Sequence, residues 1–280
     1  MTYESRVDRN NPSSLIFMVD QSASMADPIW GAEVSRAGAV TEQLNWLLYE
    51  LVQRCTKSLT GPPWPYFGVA IFGYRTDQAG NSIVKSLLGG ALANQQWVWT
   101  TDLAQHPLRI EERTNRTSDT GGQRYSAPVW IEAAAEGGTP MCEAMHHAGR
   151  LARSWIEAYP KSFPPIVINL SDGEPTDGDP SEWARRLQGL STADGNLLLF
   201  NLDIGSGQST LFPHELAPGV SPYARRMFEM SSPLPEMMVK AAQAQGYPAV
   251  LGSRGFGMNA DFRSVVTFLN VGTSVQHLLR

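Results

Sequence analysis

Leu15-Ile16-Phe17-Met18-Val19-Asp20-Gln21-Ser22-Ala23-Ser24 is the stretch on which the reading of this chain turns. Its first half is five apolar residues without polar alternation, the pattern of a strand buried on both faces in a parallel sheet. Its second half turns polar at once, as an Asp-x-Ser-x-Ser run at the strand's carboxyl end, where open α/β sheets present their ligand-binding loops. Taken alone the run is a weak signal, because Asp and Ser are common.

Two distant segments share its character. Ser171-Asp172-Gly173-Glu174 follows another apolar run, Ile166 to Leu170. Gly137-Gly138-Thr139-Pro140 opens a helical stripe of Met141, Met145, Ala148, Ala152, Trp155 and Tyr159, with Pro140 suited to a first helical position. Asp20, Ser22, Ser24, Thr139 and Asp172 together offer two carboxylates and three hydroxyls, a set for a hard cation such as Mg²⁺ or Mn²⁺, with Ca²⁺ a poorer match and zinc excluded. Each segment also has a local explanation. The first is a polar turn, Thr139 a plain N-cap, and Asp179-Pro180-Ser181-Glu182 a cap for a helix containing Trp183 and Leu187. Glu174, Asp177 and Asp179 read as a solvated loop, since they lack the spacing and central Gly of a calcium loop.

In these three segments, and in their order and context, residues 13 to 205 resemble the von Willebrand factor A (vWA) domains. The resemblance implies a doubly wound, Rossmann-like α/β fold with a mostly parallel central sheet flanked by helices. It also implies a metal-ion-dependent adhesion site built by Asp20, Ser22, Ser24, Thr139 and Asp172, whose cation accepts a Glu or Asp from a partner protein. The family usually places Gly between the two serines. This chain has Ala23, so either the turn needs no positive φ there or the loop is reshaped. Segments 163–169 and 255–261 are similar to small bacterial intracellular vWA forms grouped with tellurium resistance and with kinase and phosphatase neighbours. That implies an adaptor in signalling or stress response.

At 280 residues and 42% hydrophobic content, the chain can bury a large core. A net charge of −5 and no Lys/Arg-rich run argue against nucleic acid as a partner. Residues 1–14 are polar and no stretch approaches a membrane span, which leads to the expectation of a cytoplasmic protein without membrane contact. Cys55 and Cys142 fit buried thiols in a reducing compartment.

The expected organisation is a tail over 1–12 and a single domain over 13–280. Gly68 to Phe72 and Leu197 to Leu202 add two strands, and Val40, Leu44, Leu47, Leu48, Leu51 and Cys55 mark a helix. Residues 76–136 read as a hairpin-like insertion near the metal face, carrying Trp97-Val98-Trp99, Glu111-Glu112-Arg113, Gly89-Gly90 and Gly121-Gly122. Gly205 to Pro222 reads as a loop. A helical extension begins near 223, with Met227, Met230, Met237 and Met238 filling the core and a short capped helix from Asp261 to Leu269.

Phosphate-loop, nucleophile-elbow, dinucleotide and zinc-protease motifs are all missing, so the expectation is an interaction module rather than an enzyme. Two alternatives stand beside it. One is a metal-dependent hydrolase of phosphoesters using His146 or His147, of which at most one can face the site because adjacent helical residues diverge by about 100°. The other is a scaffold whose metal only pins loops.

Overall fold

The computed structural model describes residues 3–29, 33–57, 61–93, 95–114, 124–205, 207–260 and 262–272. Gly121-Gly122 and Asp261 lie outside them. The strands are β1 (Ser13–Asp20), β2 (Phe67–Thr76), β3 (Ser82–Ser86), β4 (Val98–Trp99), β5 (Arg109–Thr114), β6 (Arg124–Val129), β7 (Ile166–Ser171), β8 (Leu198–Asp203), β9 (Thr210–Leu211) and β10 (Phe256–Met258). The helices are α1 (Arg36–Cys55), α2 (Thr100–Gln105), α3 (Met141–Ala158), α4 (Ser181–Gln188), α5 (Pro222–Met230), α6 (Glu236–Ala244) and α7 (Phe262–Gly272).

The main sheet runs β3-β2-β1-β7-β8-β10-β9, with β4 also paired to β2. β2, β1, β7, β8 and β10 are parallel, while β3, β4 and β9 attach antiparallel at the margins. This is the doubly wound, mostly parallel α/β architecture that the sequence led us to expect, with strand order reversing beside β1.

Every residue of β1 is buried, because side chains alternate between two cores. Leu15, Phe17 and Val19 join Ile166, Ile168, Leu170, Phe200 and Leu202 beneath α1, α6 and α7. Ile16 and Met18 join Phe72, Val167 and Leu199 beneath α3, α4 and α5. Met227, Met230 and Met238 are core residues, as expected of ordinary packing. Gly68 of β2 makes room for Trp155, whose ring a Cβ would strike, and Trp155 packs against Trp97, Trp99 and Tyr159.

Three details depart from the sequence reading. β10 adds a parallel strand that the pattern did not reveal. It has only three residues, with Gly255 just before it and Gly257 at its centre, where a Cβ would strike Phe200 and Leu202. Within the stretch read as a loop, Thr210–Leu211 pairs antiparallel with β10, a contact that tertiary structure supplies. Pro140 is the N-cap of α3 rather than its first helical residue.

Residues 76–136 contain β3, an antiparallel edge strand of the main sheet, and a separate β5–β6 ribbon paired from Arg109↔Val129 to Thr114↔Arg124. Asn45 of α1 ties the ribbon's exit to the core, donating to the Ile131 carbonyl at 3.0 Å and accepting from Trp130 N at 2.8 Å.

Both cysteines are free and buried, and burial pushes each thiol up to about 12. Thiolate is the reactive form, so neither should be alkylated by iodoacetamide at pH 8 in the native protein, whereas both should react in urea. Mass spectrometry before and after denaturation checks this.

Candidate functional site

The carboxyl edge of the parallel strands brings the three segments together. Asp20 closes β1, Asp172 immediately follows β7, and Thr139 sits two residues before α3. Backbone hydrogen bonds zip the loops to one another. Gln21 N donates to the Tyr74 carbonyl at 3.0 Å, Glu136 N to the Gln21 carbonyl at 2.7 Å, and Ala23 N to the Gly137 carbonyl at 2.9 Å. Ala23 opens a short 3-10 turn, Ala23–Ala26, without positive φ, so this turn does not need glycine there.

Hydrogen bonds link four of the five residues, and the fifth, Thr139, lies beside them. Ser22 N donates to Asp20 Oδ1 at 2.8 Å, and the Ser22 and Ser24 hydroxyls lie 3.1 Å apart. Ser24 Oγ donates to Asp172 Oδ1 at 2.6 Å. Thr139 Oγ1 and Ser24 Oγ flank Gly173, each 3.6 Å from where a Cβ would stand. Asp20, Ser22 and Thr139 are buried.

Thr139 does not cap α3. The helix's first amides are held instead by Asp177, whose two carboxylate oxygens accept from Cys142 N and Glu143 N, both at 3.0 Å. Asp177 lies in the exposed loop the sequence suggested and has this role besides: an acidic side chain satisfies orphan amides and favours the helix N-terminus. Asp179 likewise accepts from Ser181 N at 2.9 Å at the start of α4, the capping role foreseen for that segment. With Asp177 on the amides, the Thr139 hydroxyl is left to the site. Its backbone is locked by Thr176, which accepts from Thr139 N at 3.0 Å and donates its own N–H to the Thr139 carbonyl at 2.9 Å.

The pattern of the sequence missed two charged members. Arg36, at the start of α1, places Nη1 2.6 Å from Asp172 Oδ2 and 3.4 Å from the Ser24 carbonyl. The Asp172 side chain in that pair is 0% exposed. Asp203 ends β8 beside Ser171, the residue before Asp172. Asp203 was detectable by the rule that picked out Asp20, since it is the first acid after an apolar run. Arg36 left no comparable signal, because its position depends on how α1 crosses the sheet.

Burial pushes both Asp20 and Asp203 up to about 6. For Asp20 this is only partly offset by hydrogen bonds from Ser171 and Ser22, the Ser171 hydroxyl donating at 2.6 Å. Nearby, the buried Tyr223 hydroxyl has no hydrogen-bond partner among the described residues, and burial plus the charge of Asp203 raise its pKa well above the usual phenol value. Beneath this edge a buried ladder fixes the strand ends. Tyr74 OH donates to Asn169 Oδ1 at 2.8 Å, Asn169 Nδ2 to Asn201 Oδ1 at 3.2 Å, and Asn201 Nδ2 to Ser231 Oγ at 3.0 Å.

The donor set fits a hard divalent cation. All its donors are oxygens, burial makes the Asp20 carboxylate and the neighbouring Asp203 costly to ionise unaided, and a guanidinium already sits on Asp172. Among the described residues, no three His, Cys, Asp or Glu side chains cluster in a metal-like group.

His146 and His147 turn away into separate surroundings. His146 packs on Trp183 at 4.9 Å between ring centroids, and His147 lies edge-on to Phe72 at 4.7 Å.

No family model and no curated protein matches this sequence. Among solved structures the chain is similar to the pilus adhesin SpaC of Lactobacillus rhamnosus GG, with 12% identity and a TM-score of 0.53, covering 97% of this chain and 31% of the adhesin. It therefore spans about a third of that protein's length. A manganese-loaded TRAP protein of Plasmodium vivax matches with 14% identity and a TM-score of 0.40, over 94% of this chain and 73% of the other. Among the described residues no helix is long and apolar enough to cross a membrane.

Proposed function

We propose that the chain is a protein-interaction module, not an enzyme, which binds Mg²⁺ or Mn²⁺ through Asp20, Ser22, Ser24, Thr139 and Asp172 and captures a carboxylate of a partner. The observation that supports this most is the meeting of the three loops at one edge: Ser24 bonds to Asp172 and with Thr139 flanks Gly173, while Ser22 lies against both Asp20 and Ser24. When bound, the cation supplies a Lewis-acidic position for a Glu or Asp from outside. The chain's own part is preorganisation. Thr176 holds the Thr139 backbone, Asp177 anchors α3, and Ser171 orients the Asp20 carboxylate.

Arg36 is an internal stand-in for the cation and competes with it for Asp172. Arg36→Gln should tighten Mn²⁺ binding by about tenfold or more, since a like unit charge about 4 Å away costs about 4 kcal/mol at a protein surface before screening and rearrangement. The same variant should melt lower than wild type in chelator, and the gap should close on adding Mn²⁺. Calorimetric titration and thermal melts check both effects.

A phosphoesterase reading needs a base beside the cation, and the packing of His146 on Trp183 and His147 on Phe72 disfavours it. The cytoplasm, a bacterial signalling or stress-response setting, and a kinase or phosphatase partner encoded nearby complete the proposal on the support of sequence resemblance. Affinity capture from the native cell, with and without chelator and with Asp20→Ala, tests it. One partner should be lost in both treatments, and undiminished capture in both would contradict the reading.

A further inference from the structure

The two adjacent histidines of α3, which the metal site does not use, open onto two neighbouring cavities that share one arginine. The first has a volume of about 380 Å³, lies between β3 and α3, and is lined by Phe72, Lys85, His147, Arg150 and Leu151 among others. The second, about 370 Å³, lies between α3 and α4 and includes His146, Arg150, Arg153 and Trp183. Each is in the size range of a small-ligand site.

Charge distinguishes this face from the rest of an acidic chain. Among the described residues, neither Lys85, Arg150 nor Arg153 takes part in an ion pair, while Arg186 on the same side is paired with Glu182 at 3.0 Å. Among the described residues the Arg150 guanidinium makes one hydrogen bond, with His147 Nδ1 at 2.9 Å. Nearby acids are committed elsewhere: Glu143 faces His146 at 3.7 Å, and Glu182 also holds Arg185. Unpaired cations at the rim of a concave, partly apolar floor form a receptor for an anionic head on an apolar or planar body. Phosphate suits them, because guanidinium forks bind its oxygens in pairs and an ammonium adds a point charge.

We propose that the β3–α3 cavity binds a small phosphate monoester, with Lys85 and Arg150 on the phosphate and the ligand's body over Phe72 and Leu151. The site stands apart from the cation edge and does not depend on it. Nucleotides and aryl phosphates share this chemistry, so the test uses adenosine 5′-monophosphate, phenyl phosphate, inorganic phosphate and adenosine as probes.

Calorimetric titration of the full chain at about 0.15 M salt, where loose surface attraction is screened, reads the affinities. At least one of the two esters should bind, at least about tenfold tighter than inorganic phosphate, and adenosine should not bind measurably. Which ester binds better identifies the ligand's body. Arg150→Gln and Lys85→Gln, both on the surface, should keep the wild-type melting temperature and weaken ester binding by about tenfold each. Failure of both esters to bind overturns the proposal. So does ester binding that survives both substitutions in folded protein, or inorganic phosphate matching the esters.

Discussion

Asp172→Ala should lower Mn²⁺ affinity by at least about 100-fold, beyond the roughly 10- to 100-fold effect typical of groups that merely orient a ligand. The side chain is wholly buried, accepts from the Ser24 hydroxyl and pairs with Arg36. Its removal deletes a negative ligand and leaves the guanidinium, 17% exposed, with only the longer 3.8 Å ion pair to the exposed Asp27. Breaking a fully buried pair costs about 3–5 kcal/mol, but Arg36 can recover water, so about 2 kcal/mol is expected in chelator. Asp172→Asn separates charge from volume: it should fold nearly as well as Asp172→Ala or better and still lose the cation. Urea unfolding in chelator and calorimetry with Mn²⁺ read the two effects independently.

The second large effect is expected from backbone geometry. Gly137 has φ of +76°, and a Cβ there would land on the Thr76 carbonyl oxygen of β2. Backbone cannot move aside as a side-chain tip can. Gly137→Ala therefore combines left-handed strain of about 1–2 kcal/mol with a steric clash of about 1–3 kcal/mol. The loop's relief is to pull away from β2. That would break the bond from Gly138 N to Thr76 Oγ1, 2.7 Å long, and the bond from Ala23 N to the Gly137 carbonyl. Thr139 would move with it. Cation affinity should fall by about tenfold although no ligand is changed, while Gly80→Ala, also at positive φ but with open space around its Cβ, should cost stability without touching affinity. Parallel melts and titrations of the two variants separate loop placement from general backbone strain.

How much of this was legible in the sequence follows from burial. β1, β2, β7 and β8 are covered on both faces, so their runs are apolar apart from the paired Asn169 and Asn201, and those of β1 and β7 lead to an acidic residue at the carboxyl end. Asp20 and Asp172 stand at those ends and could be picked out with Ser22, Ser24 and Thr139. β10 could not, because two of the positions in and beside its three residues must be glycine to let Phe200, Leu202 and Leu211 in. The assignments of Asp177 to the α3 amides and of Arg36 to Asp172 join residues 35 and 136 positions apart. Contacts of that kind belong to tertiary structure, and a local pattern has no means of encoding them.

The most direct test of the cation site is calorimetric titration of the metal-free chain with Mn²⁺, beside Thr139→Val and Arg36→Gln. Thr139→Val removes one hydroxyl and keeps shape and charge. Wild type should bind one ion, Thr139→Val should bind it at least about tenfold more weakly, and Arg36→Gln should bind it more tightly. An absence of binding by folded wild type, or equal affinity in all three proteins, would contradict the assignment of these five oxygens to a divalent cation.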